Sequence, residues 1–295
     1  SLPYFFKILV QASQLGIPYV IWGSGFDLRD SKRVRAIVEA YEENPRSFPY
    51  RDKKMSDLAE KALLVGVRGA LDKRFIGDAK IKDIGDPGVI WKYLNQPNFL
   101  IPELSKIETR NPIVAINWGT SFNNVVGNNE EGVRKQLSRV IARLNEAGYT
   151  SVIYPMWPQD IEPCRQLVLE LDKLANDDSV ILLDKVYDVN GISYLMGKAH
   201  FTINIKLHAN ILSAAYCKPF VSLAYGLKNY DFADSIGVKE TTIFMDRIDS
   251  NRIWKKVEYV ENNYNRIANR LGIMSKHYFD KQKDFMKELV AQLLQ

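Results

Sequence analysis

Two basic residues, Lys206 and His208, stand where a predicted strand meets a predicted helix in the stretch INIKLHANILSAAYCKP. The β-branched run at residues 202–205 indicates a buried strand, and the small residues at 209–216 indicate a helix. Alternate residues of a strand point the same way, so both basic side chains would project together beside the positive end of the helix. The pair therefore predicts an anion-binding site.

Polar residues also follow the other predicted strands, and they would lie at the same edge of a parallel sheet. In such sheets ligands bind beyond the carboxyl ends of the strands, at the N-termini of the helices that follow. The arginine and lysine side chains of this set suit a small, highly charged anion such as a phosphate or a carboxylate. The candidates are the GSGF turn at 23–26, Arg68, Asp86, Asn117 and Gly119 in NWGTSFNN, Asp160, Lys206, His208, Tyr225 and Lys228.

Several candidates also have simpler structural interpretations. Arg68 could be a surface arginine at the start of a helix. Asp160 could cap the helix that follows it, and Asp86 could be a turn residue in GDPG. The remaining histidines have no partner pattern, and we expect His200 to be partly buried and His277 to lie on the surface.

The order of the predicted elements indicates an α/β protein with two Rossmann-like domains that face a cleft. Strands and helices alternate with short links in the second half, which is typical of a doubly wound parallel sheet. A Pro-dotted connection at 95–112 marks the boundary. We expect an N-terminal domain at 1–108, a C-terminal domain at 109–275 and a helix at 276–295 that packs back on the domains. The first domain is expected to be short at its N-terminus, because the chain begins in a helix rather than in a strand.

Composition limits the classes of function. The 295 residues are 46% hydrophobic and 25% charged, as in a globular protein. The net charge is +5, and the basic residues form no long run, so nucleic acid is not an expected partner. The two cysteines have neither a metal spacing nor a disulfide framework, so we expect no metal and a cytoplasmic location. No apolar run approaches the roughly 20 residues of a membrane span, so membrane association is expected to be peripheral at most.

The stretch AHFTINIKLHANILSAAYCKPFVSLAYGLKNYDFADSIG resembles the signature of the polysaccharide pyruvyl transferase family. That signature is an aspartate, an apolar strand, Arg-Leu-His-Ala, a small-residue helix, Gly-x-Pro, a second strand, Tyr-x-x-Lys and then a Phe and a Gly. His200 stands where the aspartate is usual. VGVRGALDKRFIG, IGDPGVIW and IYPMWPQDIEPCRQL are similar to other family motifs in the same order, so the resemblance spans residues 20–237. Lys206 stands in place of the usual Arg, and it offers a point charge rather than a planar fork.

The resemblance implies a GT-B-like fold without a required metal or cofactor. The implied reaction transfers the enolpyruvyl group of phosphoenolpyruvate to two sugar hydroxyls as a pyruvate ketal, with release of phosphate; the partners are this donor and a glycan or lipid-linked sugar. Arg68, Lys206 and His208 match donor-binding positions, with His208 as the acid–base group. Asp86 or Asp160 would orient the acceptor. The other expected substrate-binding positions are Asn117, Gly119, Leu207, Tyr225 and Lys228.

Two other functions fit the sequence. A GT-B glycosyltransferase that uses a nucleotide sugar would hold the diphosphate with Lys206 and Lys228, and NWGTSFNN would contact it. A non-catalytic member of the fold would keep the architecture without turnover. Thermal stabilisation by a nucleoside diphosphate but not by phosphoenolpyruvate would favour the first of these.

Overall fold

The described residues form two parallel β-sheets. The computed structural model describes residues 4–44, 48–77, 80–94, 101–105, 111–172 and 179–294. The first sheet has the order β1-β2-β3, with strands Val20–Ser24 (β1), Leu64–Val67 (β2) and Lys82–Asp83 (β3). The second has the order β6-β5-β4-β7-β8-β9, with strands Ile113–Asn117 (β4), Thr150–Tyr154 (β5), Val180–Leu182 (β6), Phe201–Asn204 (β7), Phe220–Ala224 (β8) and Thr242–Phe244 (β9).

Helices connect and cover these strands. They are Tyr4–Gln14 (α1), Ser31–Glu43 (α2), Lys53–Lys61 (α3), Ala70–Ile76 (α4), Trp91–Leu94 (α5), Pro102–Ser105 (α6), Glu130–Glu146 (α7), Ile161–Asp172 (α8), Val189–Lys198 (α9), Leu207–Ala215 (α10), Leu227–Ser235 (α11), Ser250–Asn262 (α12) and Tyr264–Leu293 (α13). The predicted α/β class with parallel sheets is confirmed, and so is the helical tail. None of the helices in the described ranges combines the length and apolar character of a membrane span.

The strand order of the second sheet places a crevice between β4 and β7. The chain runs from β4 outward through β5 to β6, and then returns to pair β7 beside β4 with Asn117 opposite Asn204. Ligands of doubly wound sheets bind beyond the carboxyl ends of the strands at this point of reversal. The NWGTSFNN stretch follows β4 and the KLHA stretch follows β7, so the fold brings both to the crevice.

A buried polar network fastens α10 to this sheet. The side-chain amide of Asn204 donates to Thr202 Oγ1 (2.7 Å) and to Asn210 Oδ1 (3.1 Å), and Asn210 in turn donates to Ser222 Oγ (2.8 Å). All four side chains are fully buried, and they join β7, α10 and β8. A satisfied network of this kind permits one register, so it sets the position of the helix that begins at Leu207.

The C-terminal helix α13 packs across the first sheet. Phe285 contacts Trp22 edge-on, with ring centroids 5.0 Å apart. Gln282 Nε2 donates to the carbonyl oxygens of Ile84 (3.2 Å) and Asp86 (3.3 Å). The helix therefore holds the strand-to-turn segment that carries Asp86.

The predicted domain divisions remain predictions. The division at 108/109 falls in residues 106–110, outside the described residues, and the division at 275/276 falls inside the continuous helix α13. The first sheet has three strands in the described residues, fewer than the second. The edge strand β9 has no counterpart in the sequence prediction, because three residues at a sheet edge carry too little periodic signal.

Candidate active site

Five predicted residues come together at the crevice: Arg68, Asp86, Lys206, His208 and Lys228. Burial lowers the pKa of His208 most; Asp86 opposes this effect, and the three cations lower the pKa further. All four charged groups are thus close enough to act on this imidazole. The first domain supplies Arg68 and Asp86 and the second supplies the rest, so the cluster lies between the two sheets.

His208 lies on a helix and not on a strand, which corrects the sequence argument. β7 ends at Asn204, Lys206 is the residue immediately before α10, and His208 is in the first turn of that helix. Part of the residue is open to solvent, although its surroundings cover the imidazole enough to lower its pKa. The two basic residues are neighbours because a strand-to-helix turn places them at one edge, and not because alternate strand residues share a face.

Lys206 is buried and joins the two sides of the crevice. It is 6% exposed, and its Nζ lies 3.3 Å from Asp160 Oδ1 and donates to the carbonyl oxygen of Thr120. Its backbone N–H donates to Asn117 Oδ1 (3.0 Å). An ammonium group has three N–H donors, and two of them are used by these partners. Among the described residues the third has no acceptor, so it is available to a ligand.

Asp160 holds its neighbours rather than facing the crevice. It is 0% exposed; Oδ1 accepts from the Thr120 N–H (2.9 Å) and Oδ2 from the Trp157 N–H (3.1 Å). A Cβ atom at Gly119 would lie 2.2 Å from the Asp160 carboxyl group, so this approach requires glycine. Neither of these hydrogen bonds goes to helix α8, so they do not make Asp160 the cap of the helix that follows it. We assign this buried carboxylate to positioning Lys206 instead of orienting an acceptor.

Arg68 is a buried cation with too few partners. It is 6% exposed, so the interpretation as a surface arginine is wrong. Nη2 makes two long contacts of 3.5 Å, to Asp72 Oδ2 and to the carbonyl oxygen of Phe26, and Nε has no hydrogen-bond partner among the described residues. Burial opposes the charge, but Asp72, Asp231 and Asp86 together raise the pKa of Arg68. The guanidinium therefore has donors to spare beside Asp86.

The GSGF turn passes directly over Arg68. The Phe26 N–H donates to Asp72 Oδ1 (2.8 Å), and a Cβ atom at Gly25 would lie 2.1 Å from Arg68 Nη2. Glycine is needed here for close backbone approach, which explains a glycine pattern that lacks the dinucleotide spacing.

Lys228 belongs to a charged group that bridges the domains. Its Nζ lies 3.0 Å from Asp27 Oδ2, and Arg29 Nη2 lies 2.8 Å from the same oxygen. Both cations lie over the ring of Tyr225, at 4.8 Å and 5.0 Å from its centroid. Sequence reasoning missed Asp27 and Arg29, although GFDLRD follows a predicted strand and could have indicated them.

Asp86 has the turn role that the sequence offered as its alternative. Its Oδ1 accepts from the Gly88 N–H (2.9 Å) and caps a short 3₁₀ turn at Pro87–Ile90. The half-buried side chain still lies within reach of His208, and burial raises its pKa while Arg68 lowers it. A turn carboxylate can thus also act on the imidazole.

Three predicted substrate-binding side chains are structural instead. Leu207 is 4% exposed and packs in the main hydrophobic core, so only its backbone is available at the start of α10. Asn117 is fully buried and donates to the carbonyl oxygen of Tyr154 (3.1 Å). The ring of Tyr225 is buried beneath its two cations. These positions shape the crevice without presenting side chains to a ligand.

Trp157 is a residue at the crevice that sequence reasoning missed. Its indole is 45% exposed, and its centroid lies 6.0 Å from that of His208 with the rings nearly perpendicular (79°). An aromatic residue three positions after the end of β5 was the available signal. Among the described residues, no group of three or more potential ligands is placed to hold a metal ion.

These features define a two-domain α/β protein of the GT-B-like class, with a cationic crevice at the strand ends. The chain belongs to the polysaccharide pyruvyl transferase family, whose model matches residues 1–226. The family resemblance seen in the sequence is thereby confirmed, and membership makes the chain a transferase. No curated protein sequence matches the chain.

Several solved structures share the fold. The S. aureus MnaA–UDP co-structure has a TM-score of 0.59 at 12% identity, over 96% of this chain and 80% of that chain. UDP-GlcNAc 2-epimerase from Neisseria meningitidis bound to UDP-GlcNAc gives 0.58 at 15%, over 95% and 73%. A UDP-forming trehalose-phosphate synthase from Burkholderia xenovorans with glucose-6-phosphate gives 0.53 at 11%, over 97% and 78%. At these identities the likeness shows the fold alone.

Proposed function

We propose that this chain transfers the enolpyruvyl group of phosphoenolpyruvate to two hydroxyls of a glycan and releases phosphate. The observation that supports this proposal most is the underpaired guanidinium of Arg68, buried beside Asp86 and His208. A buried polar group without a partner costs about 1–3 kcal/mol, and more when it is charged. A donor with a phosphate and a carboxylate would supply the missing partners.

The donor would lie across the crevice. Arg68, Lys206 and Lys228 all lie close enough to His208 to lower its pKa, and the backbone N–H groups at the start of α10 have no side-chain cap. Uncapped N–H groups at a helix N-terminus favour anions. Together these groups would hold both anionic ends of phosphoenolpyruvate and stabilise the leaving phosphate.

His208 would act as the acid–base group. A protonated His208 gives its proton to the methylene carbon of the donor, and C2 becomes an oxocarbenium-like centre. The first sugar hydroxyl forms a bond to C2 and returns a proton to His208. The bond between C2 and the phosphate oxygen then breaks, the second hydroxyl attacks C2, and its proton leaves with the phosphate. One donor and one diol thus give one ketal and one phosphate.

Replacement of Arg68 tests this proposal. We expect Arg68→Met to lower phosphate release from phosphoenolpyruvate by about 100-fold or more, because it removes the main underpaired cation. Arg74→Met, an exposed arginine of the following helix, is the matched control and should change little. The measurement is a phosphate-release assay across a panel of galactosides and N-acetylhexosamines.

The same panel separates the alternatives. No phosphate release from any acceptor, together with thermal stabilisation by UDP but not by phosphoenolpyruvate, would overturn the proposal in favour of a nucleotide-sugar glycosyltransferase. Lys206→Arg belongs in the same assay, because it restores the residue usual in the family. Higher activity in this variant would show that the lysine weakens donor binding; an unchanged rate would show that the point charge suffices.

A further inference from the structure

We propose that Trp157 is the platform on which a pyranose ring of the acceptor stacks. This inference rests on the proposed function, because it assigns the acceptor side of the same crevice. The starting observation is an indole that is 45% exposed and lies 6.0 Å, centroid to centroid, from the His208 ring. Single exposed apolar residues are common on proteins, so the evidence for a ligand is the position of this side chain and its anchored backbone.

The backbone of Trp157 is held firmly. Its N–H donates to Asp160 Oδ2 (3.1 Å), and its carbonyl oxygen accepts from the Asp160 N–H (2.9 Å). Pro158 follows and limits the backbone further. The anchor is the fully buried carboxylate that also pairs with Lys206 (3.3 Å). One carboxylate therefore sets the position of both the indole and a donor-binding cation.

The apolar surface of an indole suits the sugar acceptor rather than the charged donor. Phosphoenolpyruvate is small and highly charged, and the crevice offers cations for it. A pyranose has an apolar C–H face, and tryptophan provides a large, stiff apolar surface at low cost in conformational entropy. The near-perpendicular packing on His208 (79°) leaves much of the indole open. A ring stacked there would bring its hydroxyls next to the imidazole that has to exchange their protons.

Kinetics of Trp157 variants test this inference. We expect Trp157→Ala to raise the KM for a glycan acceptor about tenfold or more, with the KM for phosphoenolpyruvate unchanged, and Trp157→Phe to retain part of the affinity. A purely structural role would instead change both KM values or the stability. An acceptor KM within twofold of the wild type in Trp157→Ala would overturn the inference.

Fluorescence gives a readout that does not need turnover. The probes are methyl β-galactoside and N,N′-diacetylchitobiose, and we expect at least one to change the intrinsic tryptophan fluorescence. The change should disappear in Trp157→Phe and persist in Trp254→Phe, a matched control whose indole packs against Arg143 outside the crevice. Loss of the signal in the control but not in Trp157→Phe would contradict the inference. A sugar signal at Trp157 without phosphate release would overturn the donor reaction but leave the sugar platform intact.

Discussion

At the scale of single residues, the charge of His208 depends on what fills the crevice. Burial is the largest cause of its lowered pKa, and Lys228, Arg68 and Lys206 add to it. The imidazole is therefore neutral at neutral pH while the crevice has no anion in it. A bound phosphate and carboxylate would offset the three cations and raise the pKa of His208, so binding of the proposed donor would favour the protonated imidazole that the proposed reaction needs.

Proton uptake on donor binding is the expected consequence. Calorimetry of phosphoenolpyruvate binding in two buffers with different ionisation enthalpies should show protons taken up near neutral pH, and affinity should rise as the pH falls. His208→Gln should reduce the uptake, while any contribution from the donor's own phosphate remains. Equal uptake in the wild type and the variant would exclude this role for His208.

The sequence predicts which residues gather at the crevice better than it predicts their roles. KLHA and the residues after each strand were identifiable, because chain order and the rule for parallel sheets place them at one edge. Spacing alone could not show that His208 lies on a helix, since a two-residue interval fits either element. Nor could it show that Asp160 is buried against Lys206, because that contact depends on packing between distant segments.

At the scale of elements, the buried amides of Asn204 and Asn210 position the helix that carries His208, the acid–base group of the proposed reaction. The sequence INIKLHANIL indicates an apolar strand and a helix, and these amides interrupt the apolar pattern. Even so, the long strands and helices, whose apolar residues recur at regular spacing, were predictable from the sequence. The hydrogen bond from Asn210 to Ser222 Oγ (2.8 Å) links both amides to β8. It joins residues too far apart for any local pattern to reveal.

Removal of one amide should loosen this attachment. We expect Asn204→Ala to destabilise the protein by about 2 kcal/mol or more, because it leaves buried partners unsatisfied. Urea unfolding measures the change. Asn190→Ala changes a partly exposed asparagine at the start of α9, so it serves as the control and should stay close to the wild type. A loss below about 0.5 kcal/mol would show that the network contributes little to stability.

At the scale of the whole molecule, two carboxyl groups meet between the domains. Asp231 of α11 accepts from the Leu71 N–H of α4 (3.1 Å), next to Asp72. Burial raises the pKa of Asp231 well above its ordinary value, and the charge of Asp72 adds to this effect. The folded protein thus holds a proton that the unfolded chain loses, so folded-state stability falls as the pH rises above the ordinary aspartate value toward the raised one.

Asp231→Asn should remove this loss of folded-state stability at higher pH. Asparagine keeps the acceptor for the Leu71 N–H and can donate to Asp72 without a bound proton. We expect the variant to gain stability relative to the wild type as the pH rises above the ordinary aspartate pKa, by at most about 1.4 kcal/mol per pH unit. Thermal unfolding at several pH values measures this, with the exposed Asp280→Asn as the control. A stability difference that does not grow with pH would mean that the two carboxyl groups share no proton.

The long helix α13 has one end in each half of the molecule. Ile267 and Leu271 lie in the hydrophobic core of the larger sheet, and Phe285 packs with Leu64 and Ile84 of the smaller one. Because it is anchored in a hydrophobic core on each side, the helix acts as a strut. Widening the gap between the sheets would have to bend this strut or pull one end out of its core. The width of the crevice would therefore stay nearly constant. Discrimination among sugars would depend on the residues that line the crevice rather than on closure of one domain onto the other.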